Sequence, residues 1–157
     1  MIDPYGSSVL QPRFISHRQK RIELIKEASE LPSIILNTSA AANLVMLGSG
    51  YFNPLEGFMG LSEALTCAEK MLAKDDLLWP IPVINVCKDV AAINKSRRIA
   101  LIDPNTDHNQ VLAIMDVDNI EPVEAEQLRF MANHIFSTTD LEHPGVSTFI
   151  NLGSYLL

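Results

Sequence analysis

The stretch Gly50-Tyr51-Phe52-Asn53-Pro54-Leu55-Glu56-Gly57-Phe58-Met59 carries the densest set of conformational signals in the chain. Its two glycines can take a positive φ, which other residues reach only with strain. Residues 53–56 predict a one-turn helix, because they place asparagine as N-cap, proline at the first helical position and glutamate three residues after the cap. The aromatic and aliphatic side chains in the stretch predict anchors to a core. We therefore expect it to hold one defined shape.

The composition is that of one compact domain with an acidic surface. The 157 residues are 47% hydrophobic, which is enough for a core of their own. The sequence contains no run of about 18 apolar residues, so no membrane span is predicted. The net charge of −7 disfavours binding to nucleic acid or to anionic membranes. The first residues lack the basic and apolar regions of a signal peptide, so a cytoplasmic location is expected.

The cysteines and histidines are too dispersed to predict a metal centre. Cys67 and Cys87 are twenty positions apart with no Cys-x-x-Cys pair, and the four histidines are scattered. Because zinc-type spacing and a secretory signal are both missing, we expect two reduced, buried cysteines. A disulfide is the alternative.

Four helices are predicted from apolar spacing and capping signals. The first has an apolar stripe, made of Ile22, Leu24, Ile25, Ala28 and Leu31. The first helix is predicted to start at a capping box at 16–19 and to stop at Pro32, and the second to start at a cap within 37–39 and to stop at Gly48. The third is predicted to run from Ser62 to before Asp75. The fourth is predicted to start at Pro122.

Strands are predicted mainly in the middle of the chain. Residues 33–36 and 81–87 are rich in β-branched side chains, and 99–102 with 111–115 read as a hairpin around the polar loop 103–110. Residues 137–146 read as turns. Because helices come first, then strands, then a helix, the order favours an α+β domain with a mixed or antiparallel barrel-like sheet over a doubly wound fold.

The polar loop imitates the start of a calcium site. Residues 103–109, Asp-Pro-Asn-Thr-Asp-His-Asn, place oxygen-bearing side chains at alternate positions. A calcium loop also needs glycine at its sixth position and glutamate at its twelfth, where this chain has His108 and Ile114. A hairpin loop shaped by Asx turns is the better interpretation.

Two small basic clusters are candidates for phosphate contact, and they consist of Arg18, Lys20 and Arg21, and of Lys95, Arg97 and Arg98. A solvated face is the simpler interpretation, since an amphipathic helix needs charge on its polar side. The phosphate-binding patterns Gly-x-x-x-x-Gly-Lys-Ser/Thr and Gly-x-Gly-x-x-Gly are both missing from the sequence.

Thr138, Asp140 and His143 are close enough in sequence to suggest a catalytic arrangement. A catalytic base needs geometry that short spacing in a turn does not supply. The alternative is a shaped loop, in which Asp140 caps, His143 hydrogen-bonds locally and Pro144-Gly145 turns the chain. Since no activated nucleophile is recognisable, we predict no catalytic, cofactor-binding or metal-binding residue in this chain.

Three separated segments together resemble the ATP sulfurylase (sulfate adenylyltransferase) family. The stretch 50–59 is similar to that family's Gly-aromatic-x-x-Pro-Leu-x-Gly-Phe-Met signature. Trp79-Pro80-Ile81-Pro82-Val83 is similar to its Pro-Ile-Pro entry to a strand, and residues 136–146 are similar to the segment that carries its Thr-x-Asp-x-x-His-Pro-Gly-Val run. Asn53 and Ser137 depart from the residues common there, which affects loop details only.

This resemblance implies an N-terminal PUA-like domain spanning residues 1–157, with a mixed β pseudo-barrel and flanking helices. It also implies a parent enzyme that uses ATP and Mg²⁺ to convert sulfate to adenosine 5′-phosphosulfate and pyrophosphate. The family's catalytic segments, Gln-x-Arg-Asn-Pro-x-His-x-x-His and Gly-Arg-Asp, do not occur in this sequence. We therefore expect a truncated chain that is inactive alone, has no cofactor of its own, and has the catalytic domain of the same chain and further copies of itself as partners.

Two alternatives remain open at this stage. PUA domains commonly serve RNA enzymes, so an RNA-binding module is one, although the acidic charge speaks against it. A protein-interaction module is the other, with the second helix and Tyr155-Leu156-Leu157 as candidate contacts.

Overall fold

The computed structural model describes residues 2–93 and 96–157, which divide into two compact units. The first unit holds the chain up to Gly57 and Ala91–Asp118, and the second holds Phe58–Val90 and Asn119–Leu157. The single-domain organisation expected for residues 1–157 stays a prediction. The helices are α1 (Arg18–Glu30), α2 (Thr38–Ser49), α3 (Leu61–Lys70), α4 (Ala125–Phe136) and α5 (Pro144–Ile150), with a 3-10 turn at Lys74–Asp76. The strands are β1 (Ser33–Ile35), β2 (Val86–Cys87), β3 (Arg98–Ile102), β4 (Val111–Asp116), β5 (Glu121–Pro122) and β6 (Tyr155–Leu156).

The first unit is built on a mixed three-stranded sheet in the order β1-β3-β4. β3 pairs parallel with β1 and antiparallel with β4, with Leu101 opposite Ile34 on one side and opposite Ala113 on the other. Ile99, Ala100 and Leu101 are fully buried, because a central strand is covered on both faces. α1 contacts β3 and β4. The predicted hairpin, the mixed sheet and the α+β class are confirmed.

The second unit has a smaller antiparallel sheet in the order β2-β6-β5. In this unit, α4 packs against both α3 and α5. Its most deeply buried side chains include Cys67 on α3, Met131 on α4, Val146 on α5 and Leu156 on β6. These residues come from distant parts of the sequence, so the core of this unit depends on long-range packing.

The limits of the first two helices differ from the predicted ones. The N-cap of α1 is His17 and not Ser16, because the His17 ring accepts a hydrogen bond from the backbone N–H of Lys20. α2 begins after the predicted cap Asn37, which accepts from Ala40 N at 2.8 Å. It continues past Gly48 and ends at Ser49, and its C-cap is Gly50, whose φ of +81° lies in the left-handed region that glycine adopts without strain.

The predicted one-turn helix at 53–56 is wrong. Residues 51–54 form turns, and the Asn53–Pro54 peptide bond is cis. The Asn53 side chain does not cap a helix, since its amide group donates to Tyr5 O at 3.1 Å and to Ser7 Oγ at 2.8 Å. Long-range partners therefore override the local capping pattern.

Three further predictions in the second unit need correction. Of the strand predicted at 81–87, only Val86–Cys87 pairs in a sheet, although 82–86 are buried. α4 begins at Ala125 and not at Pro122, because Glu124 and Gln127 form the capping box and Pro122 belongs to β5. The segment predicted as turns contains α5, in which Pro144 is the first helical residue and does not turn the chain.

Candidate functional site

An N-terminal arm, residues 2–15, is held in place by contacts with residues 48–56. Arg13 N donates to Gly48 O at 2.8 Å, and the Arg13 guanidinium lies 3.5 Å from the Glu56 carboxylate. Asn53 binds the arm at Tyr5 and Ser7. The stretch 50–59 therefore acts by positioning the arm, which local sequence reasoning missed.

The arm presents apolar side chains to solvent. Gly48 lies under the Phe14 ring, where an added Cβ would come within 3.0 Å of Phe14 Cε1. The large apolar residues left exposed on the arm are Ile2, Tyr5, Val9, Leu10, Phe14 and Ile15. A cluster of exposed large apolar side chains is typical of interaction sites.

The apolar stripe predicted for α1 is only partly buried. Ala28 is buried, whereas Ile22 is 50% and Ile25 is 55% exposed. The basic residues near its start, Arg18, Lys20 and Arg21, are all exposed, as the solvated-face interpretation predicted. In the second basic cluster Arg98 is engaged by Glu27 and Asp116, while Lys95 lies outside the described residues.

A groove of about 540 Å³ lies between α3 and α4. Its apolar side chains are Leu65 and Phe130, and its charged side chains are Glu69 and Glu126. Ser62, Thr66 and Gln127 complete its lining. The groove is therefore lined by two carboxylates and two apolar side chains. The spacing of residues 62, 65, 66 and 69, which places them on one face of α3, was the sequence signal that could have located it.

The Thr138, Asp140 and His143 segment is a shaped loop and helix cap. Thr138 Oγ1 accepts from Asp140 N at 3.1 Å, and Asp140 Oδ1 accepts from Glu142 N at 2.9 Å. His143 Nδ1 accepts from Val146 N at 3.3 Å and so caps α5. Because each side chain accepts from a neighbouring backbone N–H, the predicted local hydrogen bonding is confirmed, whereas the predicted turn at Pro144-Gly145 is wrong because α5 begins there.

The loop at 103–110 is closed by Asx geometry. Asp103 Oδ1 accepts from Asn105 N at 2.8 Å, and Asp103 N donates to Gln110 O at 2.8 Å. The predicted Asx-type hairpin loop is confirmed. Within residues 2–93 and 96–157, no group of three or more His, Cys, Asp or Glu side chains is arranged to hold a metal ion.

Both cysteines are free thiols, as predicted, but only Cys67 is buried, whereas Cys87 is half-buried. Cys67 is fully buried and donates from Sγ to Trp79 O at 3.1 Å, and burial with a contribution from Glu63 raises its pKa to about 11. Burial with a contribution from Asp89 raises the pKa of Cys87 to about 11. Since the thiolate is the reactive form, neither cysteine is an activated nucleophile.

In the part of the chain that the structure describes, every helix is too short or too polar to cross a membrane.

Comparison with known proteins assigns the family. A family model described as a PUA-like domain matches residues 2–157. The sulfate adenylyltransferase of Alcanivorax borkumensis is 41% identical over 157 residues, which are 100% of this chain and 39% of the relative. That of Allochromatium vinosum is 44% identical over 153 residues, or 98% of this chain and 38% of the relative. The chain thus spans less than half the length of the curated relatives that it matches.

A solved structure is also similar to this chain. The hexameric APS kinase from Thiobacillus denitrificans matches with a TM-score of 0.60 and 30% identity, over 77% of this chain and 24% of that chain. The chain belongs to the PUA-like domain family, and it is similar over its whole length to part of the sulfate adenylyltransferases.

Proposed function

We propose that this chain is the N-terminal, PUA-like part of a sulfate adenylyltransferase. That enzyme would join sulfate to the α-phosphate of ATP, with Mg²⁺ as helper ion, and release pyrophosphate. The observation that carries the proposal is identity of 41–44% to two sulfate adenylyltransferases over 98–100% of the chain. The three motif segments, including 50–59, support it.

The chain itself serves as a positioning scaffold in this proposal. Transfer at a phosphorus centre needs dense positive charge and aligned donors. The basic residues on α1 are exposed and separate, and Arg98 is engaged by two carboxylates. We therefore assign the catalytic groups to the catalytic domain, which would be the scaffold's partner in the same chain.

Homo-oligomerisation in the cytoplasm completes the proposal. The related solved structure is that of a hexamer, and the exposed apolar arm offers surface for association. The two free thiols suit a reducing compartment.

A chimera tests the proposed function. The segment of the Alcanivorax borkumensis enzyme that matches this chain is replaced by residues 1–157, and sulfate-dependent release of pyrophosphate from ATP is measured. The chimera should be active, whereas the 157-residue chain alone should release none. A folded but inactive chimera, or activity of the isolated chain, would contradict the proposal.

A further inference from the structure

We infer that copies of this chain associate head to tail, with the exposed face of α1 from one copy seated in the α3–α4 groove of the next. The inference rests on the proposed homo-oligomerisation and specifies the two surfaces that carry it. The occupant of the groove is thus a second copy of the chain. Two features identify that occupant. Each surface carries two apolar side chains, and the charged side chains of the two surfaces are opposite in sign.

The first surface is one face of α1. With successive residues about 100° apart around a helix, Arg18, Ile22, Ile25 and Ser29 fall in one row along the axis. Arg21 and Lys26 flank this row on its two sides by the same geometry. The isoleucines are half exposed, so the row is an apolar strip bordered by three positive charges.

The acidic residues of α1 lie away from this strip. Glu23, Glu27 and Glu30 fall on the opposite half of the helix by the same spacing. Glu27 pairs with Arg98, and Glu23 accepts from Gln19 Nε2 at 3.3 Å. Arg18 and Arg21 therefore have no acidic residue three or four positions away on α1, whereas Lys26 has Glu23 and Glu30 at that spacing.

The second surface is the groove between α3 and α4. Its lining includes two apolar side chains, Leu65 and Phe130, and two carboxylates, those of Glu69 and Glu126. Lysine and arginine are missing from its lining, although Arg129 lies elsewhere on α4. A helix that presents apolar anchors at i and i+3 with positive flanks is the chemistry such a groove selects.

The two surfaces match in both respects. Ile22 and Ile25 are about 4.5 Å apart along the helix axis, from a rise of 1.5 Å per residue, so the strip offers two neighbouring apolar side chains to the two in the groove. Arg18 and Arg21 on the strip would meet the carboxylates of Glu69 and Glu126 in the groove, which orients the helix and disfavours other partners. Because the surfaces differ, the contact is heterologous, and it closes into a ring only when the rotation between copies permits it.

Charge reversal tests the inference without reference to catalysis. One variant carries Arg18→Glu and Arg21→Glu, and a second carries Glu69→Lys and Glu126→Lys. Sedimentation of the 157-residue chain is measured across concentration at low and high salt. The wild type should self-associate more weakly as salt rises, and each variant alone should associate at least tenfold more weakly, because like charges then meet at every contact.

An equimolar mixture of the two variants provides the decisive measurement. The reversed strip of one variant meets the reversed groove of the other, and the two unchanged surfaces also meet, so association should return to within about threefold of the wild type. The matched control is Lys88→Glu with Asp107→Lys, which reverses two exposed charges that lie on neither α1 nor the groove helices and should leave association unchanged. Circular dichroism verifies that each variant is folded.

Three results would overturn the inference: a wild-type chain that stays monomeric at millimolar concentration, folded variants that do not associate when mixed, or a control variant that weakens association as much as the others. A monomeric wild type would leave the groove to a basic segment of another protein. Because the measurement does not depend on pyrophosphate release, its failure is distinguishable from failure of the proposed function.

Discussion

Removing the Glu121 carboxylate should destabilise the start of α3, which has no cap of its own. The N-cap of α3 is Gly60, which has no side chain to accept from the first backbone N–H groups. Glu121, sixty residues away in sequence, supplies the acceptor, because its Oε2 receives the N–H of Leu61 at 2.8 Å. A carboxylate in this place also interacts favourably with the positive end of the helix dipole.

The expected cost of Glu121→Ala is about 1.5 kcal/mol. A hydrogen bond to a charged group contributes about 1.5–3 kcal/mol, and the partial exposure of Glu121 selects the lower end of that range. For a chain of this size, the loss corresponds to a decrease in Tm of about 3–6 °C. With a urea m-value of about 2 kcal/mol/M, the midpoint should fall by about 0.7 M.

Urea unfolding followed by circular dichroism measures the global effect, and amide hydrogen exchange of residues 61–64 measures the local one. Glu121→Gln retains an oxygen acceptor without the charge, so it should cost less than Glu121→Ala. Glu30→Ala, on the exposed end of α1, should change the free energy of unfolding by less than about 0.5 kcal/mol. A Glu121→Ala chain as stable as the Glu30→Ala chain would refute the reasoning.

Three further predictions concern backbone space, the arm and pH. Gly153→Ala should lower the free energy of unfolding by about 2–4 kcal/mol, because φ is +155° and the new Cβ would meet the backbone at Cys87. Gly57→Ala should be nearly neutral, because nothing lies within 4 Å of its added Cβ. Equal effects of the two substitutions in urea unfolding would contradict this prediction. Asn53→Ala should speed tryptic cleavage after Arg13 about tenfold by releasing the arm, and an unchanged cleavage rate would show that Asn53 does not hold it. The pKa of the Cys67 thiol is raised to about 11 in the folded chain, so its contribution to stability is complete below pH 9 and about 2–3 kcal/mol should be lost as the pH rises to about 11. In urea unfolding, the free energy of unfolding of Cys67→Ala should therefore decline less with pH than that of the wild type. Parallel pH curves for the two chains would contradict this prediction.

Local patterns in the sequence were sufficient for the hairpin and for most helices. The loop at 103–110 is shaped by Asp103 and Asn105, two positions apart, so its geometry depends on neighbours that the sequence displays. α4 could be recognised because Leu128, Met131 and Ala132 recur at helical spacing and are all buried. Signals of this kind depend on residues within one or two turns of each other.

The role of the 50–59 stretch could not be read from the same patterns. Asn53, Pro54 and Glu56 have the order of a helix start, yet Asn53 binds the arm more than forty positions upstream and Glu56 pairs with Arg13. A capping signal predicts a helix only when no partner distant in sequence competes for the same side chain. The candidate interaction surfaces were missed for a related reason, since periodicity shows that a helix has an apolar face and does not show what covers it.

By itself, the amino-acid sequence determined the α+β class, the hairpin, most helices and the resemblance to sulfate adenylyltransferases, because these depend on local periodicity and on ordered motifs. Only the tertiary structure decided that Ile22 and Ile25 stay exposed, that an acidic groove forms between α3 and α4, and that Glu121 supplies the missing cap of α3. The physical reason is that burial and hydrogen-bond partners are set by groups far apart in the chain, which become neighbours only when the core is packed.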